Sequence, residues 1–130
     1  RALTHEMSAV QQYLAQSVLA RLWGDEALSS KLRSEAVEEL GHAERLMERL
    51  IVLGVAPSAG NLPPSRLGRS VDELLAADRE LEVEAVRLYQ DAVAHAQRMR
   101  DSDGASLLAD ILAEEMDHVQ DIDSLRNASG

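Results

Sequence analysis

Residues in the second half of this chain match residues in the first half at a constant offset of 76 positions. The offset superposes three pairs of potential metal ligands, namely Glu6 and Glu82, Glu39 and Glu115, and His42 and His118. It also superposes Ala9 and Ala85, Val10 and Val86, Tyr13 and Tyr89, Ala20 and Ala96, and Glu38 and Glu114. Self-similarity at a fixed offset indicates a duplicated structural unit. We therefore predict two similar halves related by a pseudo-two-fold axis.

Four segments have the sequence features of helices, with apolar residues at helical spacing and glycine or proline near their ends. Ser70 and Glu73 form a capping-box pattern at the start of the third segment. The predicted helices run from Leu3 to Trp23, from the segment 25–30 to before Gly54, from Ser70 to about Arg100, and from after Gly104 to near Asn127. The expected inward face of the first helix is marked by Val10, Tyr13, Leu14, Ser17 and Val18.

The lengths of the connections predict the topology. Only a few residues separate the first helix from the second and the third from the fourth, so each pair should form an antiparallel hairpin. The segment from Val55 to Arg69 contains three prolines and is long enough to run the length of a bundle. The expected fold is all-α: a four-helix bundle of two antiparallel hairpins joined by a long crossover. It should form one domain over residues 1–130.

Composition excludes several classes of function. The chain has no cysteine, which excludes disulfides and thiolate metal sites. Its formal net charge of −10 argues against nucleic acid or an anionic membrane as a partner. No apolar stretch approaches the roughly 20 residues of a membrane span, and the start, Arg1 to Glu6, lacks the apolar core of a signal peptide. A soluble, cytoplasmic protein is expected.

The repeated ligand pairs predict a dinuclear metal site. Glu39 with His42, and Glu115 with His118, are Glu-x-x-His units whose side chains share one helix face. Dinuclear carboxylate bundles add one glutamate from each of the other two helices, and Glu6 and Glu82 fit that role. Four carboxylates would neutralise two divalent ions, and carboxylate with imidazole suits iron or manganese. By position, Glu39 and Glu115 would bridge the two metals.

Other polar residues are weighed against plainer interpretations. One Glu-x-x-His in an acidic helix is usually a solvated surface pair, but two at a shared offset favour a metal site. Tyr13 and Tyr89 each follow a lone glutamate by two helical turns, so their hydroxyls are expected to hydrogen-bond ligand carboxylates or to donate an electron. His5 and His95 fall outside the pattern and are interpreted as surface residues.

The chain resembles the bacterioferritin branch of the ferritin-like superfamily over nearly its whole length. The motifs that carry the resemblance are residues 6–13 (EMSAVQQY), residues 38–46 (EELGHAERL) and residues 111–118 (ILAEEMDH), together with the crossover through Leu67 and Gly68. The resemblance implies a ferroxidase centre where two Fe(II) ions react with O2 or H2O2. It also implies that ferric product is stored inside a hollow homo-oligomer built from dimers.

The sequence departs from the bacterioferritin pattern at the haem position. The resemblance implies a haem held between two subunits by one methionine from each, just after the bridging glutamate of the second helix. That position is Leu40 here, and leucine cannot ligate iron. Met7 and Met47 are the substitutes to consider, with core packing as the plainer interpretation, and Met116 lies in the other half of the repeat.

The last expectations concern assembly and alternative functions. The sequence reaches Gly130 without the short fifth helix of 24-subunit ferritins, which favours a dodecamer over a 24-mer. A rubrerythrin-like peroxidase without iron storage is one alternative, disfavoured because there is no cysteine pair for a rubredoxin iron. The other alternative is a non-enzymatic metal-binding bundle. Whether O2 or H2O2 is the oxidant, and whether iron or manganese is bound, stays open.

Overall fold

The computed structural model describes residues 1–129, and within them the chain forms four α-helices and no strand. The helices are α1 (Ala2–Leu22), α2 (Glu26–Val52), α3 (Val71–Arg98) and α4 (Ser102–Ser129). They pack as two hairpins, α1 with α2 and α3 with α4, in two compact units that divide after Arg69. The predicted all-α class with two hairpins joined by a long connection is confirmed.

The first hairpin is antiparallel, as its cross-helix contacts show. Ser17 on α1 and Ser29 on α2 are buried and exchange hydrogen bonds: each hydroxyl donates to the other residue's carbonyl oxygen, at 2.9 and 2.8 Å. Gly24 ends α1 in a left-handed conformation with φ +82°, which glycine adopts at little cost. Asp25 then begins α2 by accepting a hydrogen bond from the Leu28 amide at 3.0 Å.

The predicted crossover runs along α1 within the same unit, in the direction of that helix. The Gln11 side chain donates to the Pro63 carbonyl at 2.9 Å, and Gln16 donates to the Arg66 carbonyl at 2.8 Å. Nearer the start of α1, the Thr4 hydroxyl donates to the Ala59 carbonyl. The crossover has no regular secondary structure in which its backbone N–H and C=O groups could pair. These polar side chains of α1 therefore supply hydrogen-bond partners.

Two ion pairs join the helices of the second hairpin, near the start of α3 and the end of α4. Arg79 on α3 donates to Asp123 on α4 at 2.7 Å, and Arg126 on α4 donates to Asp72 on α3 at 3.1 Å. The Arg79 guanidinium hydrogen-bonds the Asp123 carboxylate and so lowers the pKa of that carboxyl. At the start of α3, Ser70 accepts from the Glu73 amide at 3.1 Å, as half of the predicted capping box requires.

Two local predictions are wrong. The helix α4 begins at Ser102 rather than after Gly104, because the Asp101 carboxylate accepts from the Gly104 amide and caps the helix three residues earlier. On α1, Leu14 and Val18 are 45% and 46% exposed and do not face inward. The apolar spacing gave the wrong buried face for α1, because the glutamines that bind the crossover occupy buried positions there.

None of the described helices is long and apolar enough to span a membrane.

Candidate metal centre

The first hairpin brings three potential ligands together. The Nδ1 atom of His42 lies 3.4 Å from Oε2 of Glu39, one turn earlier on α2. It lies at the same 3.4 Å from Oε2 of Glu6, which comes from the facing helix α1. All three residues are buried, both glutamates with 0% exposure. We call these three residues the first cluster.

The second hairpin repeats this arrangement. The Nδ1 atom of His118 lies 3.5 Å from Oε1 of Glu115 on α4 and 3.6 Å from Oε2 of Glu82 on α3. These residues are also buried, with 1% exposure for each glutamate and 7% for the histidine. We call them the second cluster. Each half of the sequence repeat therefore folds into a hairpin that carries its own Glu, Glu and His.

Helix geometry explains both clusters. Residues three positions apart lie on one face of a helix, so each Glu-x-x-His unit directs two donors at the same volume. The antiparallel partner then contributes the lone glutamate from the opposite side. Within each cluster, one ligand atom from each residue lies within 4.8 Å of the others, close enough to bind a single ion.

The spacing of the donor atoms fits a metal ion. Metal–nitrogen and metal–oxygen bonds of about 2.1 Å place neighbouring ligand atoms about 3.0–3.4 Å apart, depending on the coordination angle. The observed separations of 3.4–3.6 Å lie at the upper end of that range or just above it. They exceed the usual 2.7–3.2 Å range of a hydrogen bond. Buried carboxylates are also costly unless they are compensated, and a cation would provide that compensation.

Comparison with known proteins identifies the family. A family model described as a ferritin-like domain matches residues 1–128. The chain belongs to the ferritin-like family. Its relatives include the bacterioferritins of Mycobacterium leprae (30% identical over 90% of this chain and 74% of the relative) and Brucella melitensis (33%, over 91% and 73%). A bacterial ferritin of Synechocystis is 34% identical over 91% of this chain and 76% of the relative.

These relatives confirm the resemblance to bacterioferritins that the motifs indicated. All six ligand candidates of this ferritin-like chain lie in the two clusters. Their role as ligands stays a prediction, as does the bridging role of Glu39 and Glu115.

The two tyrosines are both buried, Tyr13 at 2% and Tyr89 at 0% exposure. A buried phenol usually has a hydrogen-bond partner for its hydroxyl. Their expected roles, orienting ligand carboxylates or donating an electron, remain predictions.

The haem candidates are scattered. Leu40 is 42% exposed on α2 and carries no donor atom, while Met7 and Met47 are half-buried. Met116 lines a groove of about 370 Å³ on the second hairpin with Val83, Val86 and Val119. Of the histidines outside the pattern, His95 is exposed and His5 is half-buried.

Sequence reasoning missed several buried polar residues. Asp78 is 1% exposed on α3, one turn before Glu82. Gln12 and Gln16 are buried on α1 at places where an amphipathic pattern would call for apolar side chains. The repeat offered a signal for the two glutamines, because it is broken at their positions. The counterparts of Gln12 and Gln16, at positions 88 and 92, are leucine and alanine.

Proposed function

We propose that this chain is a bacterioferritin-like iron protein that oxidises Fe(II) at a dinuclear centre formed by its two clusters. The observation that carries the proposal is that each hairpin buries one Glu, Glu and His set in the same arrangement. Membership in the ferritin-like family and the bacterioferritin relatives support it.

Charge balance supports iron as the substrate. The four glutamates carry four negative charges, which neutralise two Fe(II) ions. After both ions are oxidised, the centre has two excess positive charges, which favours binding of hydroxide or oxide and loss of the ferric product. The imidazoles of His42 and His118 add one nitrogen donor per ion, a ligand set that suits iron.

The proposed oxidation is balanced in electrons and protons with either oxidant. Two Fe(II) ions lose one electron each, and one O2 takes both electrons with two protons to give hydrogen peroxide. When hydrogen peroxide is the oxidant, the same two electrons and two protons give two water molecules. We propose that the two ions are bound as a pair, so that both electrons can pass to one oxidant molecule.

We further propose that the chain works as a cytoplasmic homo-oligomer built from dimers, in which ferric product is retained. Exposed apolar side chains on the first hairpin support association between copies, with Leu14 and Val18 on α1 and Val37 and Leu40 on α2. The mass of the assembly, measured by light scattering, gives the number of subunits and distinguishes 12 from 24. Since Leu40 has no donor atom, we expect no bis-methionine haem.

The test is aerobic addition of Fe(II) to metal-free protein, followed by absorbance at two irons per chain and then at large excess. We expect a fast phase that saturates near two irons and is lost in Glu39→Ala. The matched control is Glu44→Ala, which removes an exposed carboxylate of the same helix and should keep the fast phase.

Each other outcome assigns a different function. A fast phase without retention of excess iron would indicate a peroxidase or detoxifying protein of the rubrerythrin type. Absence of any fast phase in the wild type would refute the proposal and leave a non-enzymatic bundle.

A further inference from the structure

We propose that Gln12 and Gln16 are positioning residues for the first cluster, acting by fastening the crossover to α1. The inference rests on the proposed function, since it assumes that the cluster binds a metal. It assigns a role in that centre to residues that are not among its ligands.

The two glutamines hold both backbone polar groups of a single crossover residue. Gln16 donates from Nε2 to the Arg66 carbonyl at 2.8 Å, and the Arg66 amide donates to Oε1 of Gln12 at 3.3 Å. The glutamines are 0% and 3% exposed. Burying an amide is costly without a hydrogen bond, so these two residues are suited to the crossover and poorly suited to ordinary packing.

The hydrogen bonds between the crossover and α1 lie on both sides of the functional residues of that helix. Gln11 donates to the Pro63 carbonyl at 2.9 Å, and Thr4 donates to the Ala59 carbonyl. Glu6 lies between Thr4 and Gln11 along the helix, and Tyr13 lies between Gln12 and Gln16. The crossover is therefore attached on both sides of the ligand and of the buried tyrosine.

The internal repeat is broken at these positions. The residues 76 places after Thr4, Gln11, Gln12 and Gln16 are glutamate, arginine, leucine and alanine. The second hairpin joins its helices through residues 99–101 and contains no long segment of this kind. The glutamines therefore occur only in the half of the repeat that holds a crossover, while both halves keep the ligands.

The helix α1 needs this support because few large apolar side chains anchor it to the rest of the hairpin. Its buried apolar residues are mostly small or widely spaced: Leu3, Ala9, Tyr13 and Ala20. Metal ligands must be held to within about 0.5 Å by their supporting structure. A small rotation of α1 about its axis would carry the Glu6 carboxylate away from His42, and the crossover resists that rotation from outside.

The test compares variants in Co(II) binding, which reports the geometry of the cluster without oxidation. Gln16→Met and the double variant with Gln12→Met keep side-chain volume but remove the bonds to Arg66. We expect Co(II) affinity to fall about tenfold or more, as for loss of other outer-shell partners, with a changed d–d absorption spectrum.

The matched control is Ser29→Ala, which removes a buried hydrogen bond of the same hairpin without touching the crossover. We expect it to lower the urea midpoint of unfolding and to leave Co(II) affinity within about twofold of wild type. An equal loss of affinity in Ser29→Ala, or wild-type affinity in the Gln16 variant, would overturn the inference.

Two further measurements keep the test decisive. Should Gln16→Met fail to fold, Gln11→Met removes an exposed attachment and is expected to give a smaller loss of affinity in the same direction. No loss there would also count against the inference. A wild-type protein that binds no Co(II) would refute the proposed metal centre itself, before any variant is compared.

Discussion

The Nδ1 atom of His42 on α2 lies 3.4 Å from Oε2 of Glu6 on α1, so the two helices of the first hairpin meet at a pair of donor atoms. His118 and Glu82 repeat this relationship in the second hairpin at 3.6 Å. A Glu-x-x-His unit alone supplies two donors from one helix, and the facing helix supplies the third. The duplicated unit is thus a hairpin that already contains one complete cluster.

The first prediction concerns Glu39→Gln. Removing one buried charge should stabilise the metal-free protein by roughly 1–2 kcal/mol, since the carboxylate is desolvated there and the amide is neutral. Thermal unfolding should accordingly begin a few degrees higher. Co(II) at 100 times its dissociation constant should then stabilise the wild type by about 2.7 kcal/mol for each ion bound, and the variant far less.

The control for Glu39→Gln is Glu44→Gln, which neutralises an exposed carboxylate of the same helix. It should change neither the stability of the metal-free protein nor the gain from Co(II) by more than a few tenths of a kcal/mol. A metal-free Glu39→Gln protein less stable than wild type would mean that the buried carboxylate is already well compensated in the fold.

The second prediction separates the two clusters. His42→Ala removes the only nitrogen donor of the first cluster and leaves the second cluster intact. We expect the tight Co(II) stoichiometry to fall from two ions to one, with the other ion bound about 10- to 100-fold more weakly. His118→Ala should give the same result, measured by titration of the d–d absorption. Loss of both ions in either variant would show instead that neither cluster binds without the other.

Much of this architecture could be predicted from the sequence because the repeat and the helical periodicity are local patterns. The hairpins and the crossover follow from the lengths of the connections between helices. The two sets of ligand candidates follow from the repeat and from spacings such as that of Glu39 and His42. The buried role of Gln12 and Gln16 could not be predicted, since it depends on a coil some 50 residues away along the chain. Leu14 and Val18 are exposed on the same helix, whereas Gln12 and Gln16 are buried, which local apolar spacing could not predict.

The third prediction concerns pH. The hydrogen bond from Arg79 lowers the pKa of Asp123, and the nearby positive charge acts in the same direction. A carboxyl with a lowered folded-state pKa contributes stability above its unfolded pKa of about 3.9. That stability is lost as pH falls through the folded value. The difference in thermal midpoint between wild type and Asp123→Asn should therefore be largest near neutral pH and shrink below about pH 4.

The matched control for this pH profile is Asp121→Asn, two residues away on the exposed surface of α4. Its difference from wild type should stay close to zero at neutral pH, where the Asp123 variant is clearly less stable. A constant difference for Asp123→Asn from pH 7 to pH 3 would refute the contribution of its ion pair. High salt should reduce the effect because both partners are solvent-accessible.

The fourth prediction sets two identical substitutions against each other. Gly41 lies within α2, and apart from the nearby backbone of that helix no atom lies within 4 Å of the position its Cβ would take. Gly41→Ala should therefore stabilise the chain by roughly 0.5–1 kcal/mol through helix propensity. Gly104 lies in the first turn of α4, where a Cβ would approach Cγ of the capping Asp101 to 2.7 Å. Gly104→Ala should therefore disrupt the cap and destabilise the chain by about 1–2 kcal/mol, despite the better propensity of alanine.

Urea unfolding of the metal-free proteins measures both substitutions. Asp101→Ala combined with Gly104→Ala should restore part of the loss in stability, because the clashing carboxylate is then absent. Equal signs for the two glycine substitutions would show that propensity, and not the Asp101 cap, controls the start of α4.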